Sequence, residues 1–92
     1  MTIRQLNKFV RIIGGCQQDF KKETKPTNKT LILDNFQFYF AKKMGKRLHD
    51  FYERFYPGYS HGDACAIAFF DDQLPGLLRR FFSKSHPASP AI

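Results

Sequence analysis

The sequence predicts a single α+β domain, mainly helical with a small antiparallel sheet, and three observations carry that prediction. The chain has 92 residues, room for one hydrophobic core. Apolar residues recur at helical spacing near the start, around residues 40–55 and near the end. Between these stretches Phe36, Phe38 and Phe40 alternate behind the turn-forming pair Asp34-Asn35, the pattern of a half-buried strand. An all-α bundle is the alternative. The expected domain runs over residues 1–84, followed by a flexible tail, 85–92, in which Pro87 and Pro90 interrupt any apolar pattern.

Taken in order, Thr2 is placed to cap a first helix whose inward positions are Ile3, Leu6, Val10 and Ile13, widened by Phe9. Arg4, Lys8 and Arg11 fall in one line on its other side, and Gly14-Gly15 are expected to stop it. Residues 16–29 turn polar and read as a short helical turn around Phe20 followed by an exposed loop carrying Lys21, Lys22, Lys25 and Lys29. Residues 30–40 admit two readings. The alternation favours a hairpin, whereas Asp34 and Gln37 have the spacing of a capping box, with Leu33 and Phe38 as its hydrophobic staple. From Phe40 onward Met44, Leu48, Phe51, Tyr52 and Phe55 fall in one apolar arc of the helical wheel, and extending that wheel backwards puts Gln37 at its centre. The helix is therefore expected to begin near Phe40, to run through Gly45, and to end at Pro57-Gly58. A third helix is expected from Ser60 or Asp63 to Phe70, and a short amphipathic one over Leu74, Leu77, Leu78, Phe81 and Phe82 behind Pro75.

Charge is the strongest functional signal. Eleven of the fifteen Lys and Arg residues lie in the first 48 positions against Asp19, Glu23 and Asp34, while the remainder carries four basic and five acidic residues. The two parts are therefore +8 and −1, a directed field whose complement is a polyanion or an acidic protein surface. The candidate binding residues are Arg4, Lys8 and Arg11, then Lys21, Lys22, Lys25 and Lys29, then Lys42, Lys43, Lys46 and Arg47. Lysines on an exposed segment follow a phosphate backbone without reading bases, and the same residues serve equally as a solvated face. Rings interleaved with lysine, as in Phe36, Phe38, Tyr39 and Phe40 beside Lys42 and Lys43, also occur where single strands stack; in a chain without Trp most of these rings are needed for the core.

No reaction is spelled out, and no cofactor, metal or small-molecule substrate is expected. His49, His61, Asp63 and Cys65 match no zinc spacing, and a Cys65 nucleophile paired with either histidine lacks an orienting third group. Gly14-Gly15 is followed by neither a P-loop nor a dinucleotide pattern. Cys16 and Cys65 read as reduced thiols. The longest apolar run, residues 64–70, is far short of a membrane span. Residues 1–18, basic and without acid, loosely imitate a mitochondrial presequence but lack its serines.

Across its length, from MTIRQLNKFVRIIGGCQQDF through KKMGKRLHDFYERFYPGY to LPGLLRRFF, the chain resembles the small phage-encoded anti-CRISPR proteins that inhibit type I-F surveillance complexes. That group shares no fold or motif, so the resemblance transfers no residue position by position. It implies a monomer that acts in the bacterial cytoplasm by binding a multisubunit RNA-guided effector, including its guide RNA, and blocks target DNA from pairing. Many such inhibitors are acidic DNA mimics. The basic half of this chain departs from that pattern, which points the expected contact at the guide RNA backbone or an acidic protein patch. Two other readings are a free-standing nucleic-acid-binding regulator, dimeric through its Leu77 to Phe82 helix, and a structural subunit whose basic face meets RNA in a larger assembly.

Overall fold

Helix formation begins where Thr2 accepts the Gln5 backbone N–H through its hydroxyl (3.1 Å), while the Gln5 side chain accepts the Thr2 N–H (3.0 Å). From this reciprocal cap α1 (Ile3–Lys22) runs about 30 Å and is followed, after Glu23–Lys25, by α2 (Pro26–Met44). Pro26 stands in the first turn of α2, where its missing N–H costs nothing. A single 3-10 turn, Gly45–Arg47, leads into α3 (Leu48–Phe55), and α4 (His61–Phe70) and α5 (Leu74–Ser83) complete the order. The computed structural model describes residues 1–83; the expected tail, 85–92, lies outside them.

The expected sheet is absent: no strand occurs among the described residues, and the fold is an all-α bundle. Residues 30–40 are the interior of α2, so neither the hairpin nor the Asp34 capping box forms. Helical spacing explains why. Phe36, Phe40 and Met44 follow at i, i+4 and i+8 and are fully buried, with Ile32 and Leu33 packed on the same side. The wheel that placed Gln37 in the apolar arc assumed one helix through Gly45. Gly45 instead takes φ +54° and ψ −130°, a conformation that L side chains rarely adopt, and the chain turns there. Residues before and after it belong to different helices, so one wheel does not describe both.

Gly14 and Gly15 do not stop α1, which passes through them for two further turns. The reason is tertiary: Gln17 and Phe20, beyond the glycines, are both needed by the core. The Gln17 Nε2 donates to the carbonyls of Ala68 (3.3 Å), Phe69 (2.8 Å) and Asp71 (3.2 Å), satisfying the C-terminal end of α4, while Phe20 packs edge-on against Phe69 at 4.8 Å. A Cβ at either glycine would meet nothing within 4 Å. Gly14→Ala and Gly15→Ala are each expected to raise stability by about 0.5–1 kcal/mol, read as a higher urea midpoint; a loss of stability would mean that the helix breaks there.

α1 and α2 form an antiparallel hairpin, since Phe9 meets Phe40 (centroids 6.1 Å) at one end and Phe20 meets Lys29 at the other. Phe40 also contacts Phe36, Phe51 and Tyr52, and Phe51 contacts Phe81, which ties α3 and α5 to the hairpin through rings. Ile3, expected inward, is 70% exposed. The α3 helix ends at Phe55 ahead of Pro57-Gly58, as its sequence indicates. Ser60 caps α4 through the Asp63 N–H, and Asp71 closes it: the Asp71 carboxylate accepts Tyr56 Oη–H and Gln73 N–H, both at 2.8 Å. Leu78, Phe81 and Phe82 of α5 are buried in the chain's own core, so the apolar face that a dimer would use is already occupied.

Candidate polyanion-binding surface

The cap at Thr2 sets the register of α1, and at 100° per residue Arg4, Lys8 and Arg11 lie within about 60° of one another on the outward side. With Ile3 and Asn7 they line one open, shallow depression. No acidic residue stands in the first turn, and among the described residues none of these three cations has an ion-pair or ring partner. Their placement works against the helix. Arg4 and Lys8 repel at i, i+4, and the N-terminal end of a helix already carries positive potential. The depression therefore holds an uncompensated cationic field, which is the chemistry of an anion seat.

The other expected residues sort differently. Lys21 belongs to the last turn of α1 and bridges to Asp72 at 2.8 Å, and Lys29 lies over the Phe20 ring, 5.1 Å from its centroid, on the core-facing side of α2. Both were expected on a loop. Only Glu23–Lys25 connects the helices, with Lys22 exposed just before it and Lys25 at the N-cap of α2. Glu23 organises this corner. Its Oε1 accepts the Thr24 and Lys25 N–H groups, and the Lys25 bond, then the Asn28 side chain, hold its carboxyl below the usual carboxylate range. Arg47 stacks on both Phe81 and Phe82, 4.6 and 4.5 Å from their centroids, and so holds the 3-10 turn to α5. Lys42, Lys43 and Lys46 remain exposed, Lys42 against the outward-facing Phe38 ring at 5.6 Å.

The three basic groups do not form one patch. Lys21, Lys22, Lys25 and Lys29 gather around the turn between α1 and α2. The antiparallel hairpin returns Lys42, Lys43, Lys46 and Arg47 to the end where Arg4 and Lys8 lie. Eighteen residues separate Arg4 from Lys22, about 27 Å along a helix, so the hairpin is basic at both ends.

A scan against protein-family models, a search of curated proteins and a search of solved structures find no match to this chain.

Burial pushes the Cys65 thiol up, opposite to what activates a nucleophile, although Tyr52 donating to it offsets part of that rise. Burial, with Cys65 beside it, pushes the Tyr52 phenol up as well. His49 Nδ1 and His61 Nε2 stand 3.1 Å apart, joining α3 to α4, while Cys65 points into the core. Among the described residues no three His, Cys, Asp or Glu side chains gather as a metal site, and Cys16 and Cys65 are unpaired. No described helix is long and apolar enough to cross a membrane.

Sequence reasoning did not find Ile3 and Asn7 as walls of the depression, nor Gln17 as the cap of a distant helix. The available signal for Asn7 was its place one turn from Arg4 and Arg11.

Proposed function

We propose that this protein is a non-catalytic binder that seats the sugar–phosphate backbone of a guide RNA on the Arg4, Lys8 and Arg11 surface. Its target is a type I-F RNA-guided surveillance complex, and its presence there prevents target DNA from pairing. The observation that carries the anionic ligand is the line of three cations, without ion-pair or ring partners among the described residues, along the first three turns of α1. The resemblance described above supplies the identity of the complex. Contact with an acidic protein patch of the same complex uses the same cations.

The test is recovery of tagged protein from cells containing a type I-F complex, with and without nuclease, reading protein and RNA together. The expected result is nuclease-resistant recovery of the whole complex by the natural chain and its loss with Arg4→Glu, Lys8→Glu and Arg11→Glu combined. Scattered, nuclease-sensitive nucleic acid as the sole product would overturn the inhibitor reading. It would favour a free-standing nucleic-acid binder, which the separation of basic groups to both ends of the hairpin suits, since about 27 Å spans roughly eight phosphates of a helically stacked strand.

A further inference from the structure

α2 is apolar on two sides. Phe36, Phe40 and Met44 fill the core, but Leu31, Phe38 and Tyr39 point away from it and are 59%, 61% and 41% exposed. The fold does not use these three, and a solvated helix face would normally carry polar residues there. The two rings meet edge to face at 5.7 Å. Lys42 leans on Phe38, Lys43 lies one turn after Tyr39, and Lys46 stands in the 3-10 turn beyond Gly45, so residues 38–46 hold two exposed rings and three exposed lysines without a carboxylate.

We propose that Phe38 and Tyr39 form a stacking platform for the unpaired bases of single-stranded nucleic acid, with Lys42, Lys43 and Lys46 taking the phosphates on either side. This rests on the reading of the protein as a nucleic-acid binder and names the state of the strand it takes. Two features select this occupant over a protein. Charge is one: three exposed lysines follow the rings, against the single carboxylate of α2, Asp34, one turn before Phe38. Area is the other: three partly exposed large side chains offer about 300 Å² of apolar surface, well below the roughly 800 Å² per partner of a stable protein interface. Bases need less, because each stacks on one ring and every base has a π-face. A base turned onto one of these rings presents no Watson–Crick edge in register, so that position of a guide would be kept from its target.

The absence of Trp in the chain provides the probe. In Phe38→Trp the introduced indole is the sole tryptophan, and a stacked base quenches it. A labelled, non-self-complementary RNA of about ten nucleotides, within the usual site size, reports binding by anisotropy in the same titration. We expect indole quenching that saturates with the anisotropy, and about tenfold weaker binding for Phe38→Ala, for the complementary duplex, and for a strand of equal length built from stable abasic residues. Tyr39→Ala should weaken binding in the same direction. Binding by anisotropy without quenching, and with abasic strand and duplex bound as tightly as the RNA, would overturn the platform while leaving the phosphate seat standing. No binding of any oligonucleotide would overturn both. Phe38 is exposed, so its variants are expected to keep the parent's thermal transition; Phe38→Leu, which keeps apolar area and removes the ring face, should bind as weakly as Phe38→Ala.

Discussion

Phe40→Ala should lower the free energy of unfolding by about 3–5 kcal/mol, the largest effect expected from a single substitution. Phe40 is fully buried and its ring meets Phe9, Phe36, Phe51 and Tyr52 at centroid distances of 6.1, 5.4, 5.7 and 6.0 Å. It is the point where α1, α2 and α3 share one contact, so truncation leaves a cavity that no single helix can close. A domain of this length has about 5–14 kcal/mol to lose, and the variant should unfold at a much lower urea concentration, followed by circular dichroism. The comparison with Phe38→Ala is the diagnostic one. In a hairpin Phe36, Phe38 and Phe40 would share a face and respond alike; in α2 the first and third should be severe and Phe38 nearly silent, within about 0.5 kcal/mol. Equal losses at all three would contradict the helix.

Combining Arg4→Glu, Lys8→Glu and Arg11→Glu should weaken binding to a single strand by at least about a hundredfold at 0.1 M salt. Each phosphate neutralised on a single strand contributes about 0.7 to the slope of log K against log salt, so losing three contacts removes about 2 from the slope and about two orders of magnitude at that concentration. The slope is the decisive readout. Reversal that lowered affinity but left the slope unchanged would mean that the three cations act through something other than phosphate. Fold stability should not fall, because three glutamates repel one another no more than the three natural cations do, and the first turn of a helix prefers an acid. Lys21→Glu makes the contrast: it breaks the exposed pair with Asp72, worth at most about 1 kcal/mol, at the far end of the hairpin.

Much of the local structure was legible. Thr2 as a cap, Ser60 before α4, Pro57-Gly58 after α3 and the spacing of Leu74, Leu78 and Phe82 act within a few residues, and these four read the same in sequence and in structure, whereas the Asp34 capping box, equally local, lies inside α2 and does not form. The line of Arg4, Lys8 and Arg11 was legible for the same reason, once Thr2 set the register. Residues 30–40 were not, because aromatic residues suit strands and helices alike when a core can receive them. The stripe of Phe36 and Phe40 is recognisable as helical only with the break at Gly45 in place. Gly14-Gly15 misled in the opposite sense: their propensity cost is local, about 1 kcal/mol each, and packing beyond them outweighs it.

The sequence alone determined where helices begin and end when a cap or a Pro-Gly pair decided it, how charge divides along the chain, and which cations share a line on α1. Tertiary structure alone decided that Gln17 would close α4 from fifty residues away, that Lys21, Lys29 and Arg47 would be drawn into internal contacts, and that Phe38 and Tyr39 would face outward. The physical reason is range: capping and helical spacing act over three or four residues, whereas the choice of which ring is buried depends on which helices meet, and α2 offered apolar side chains on both of its sides.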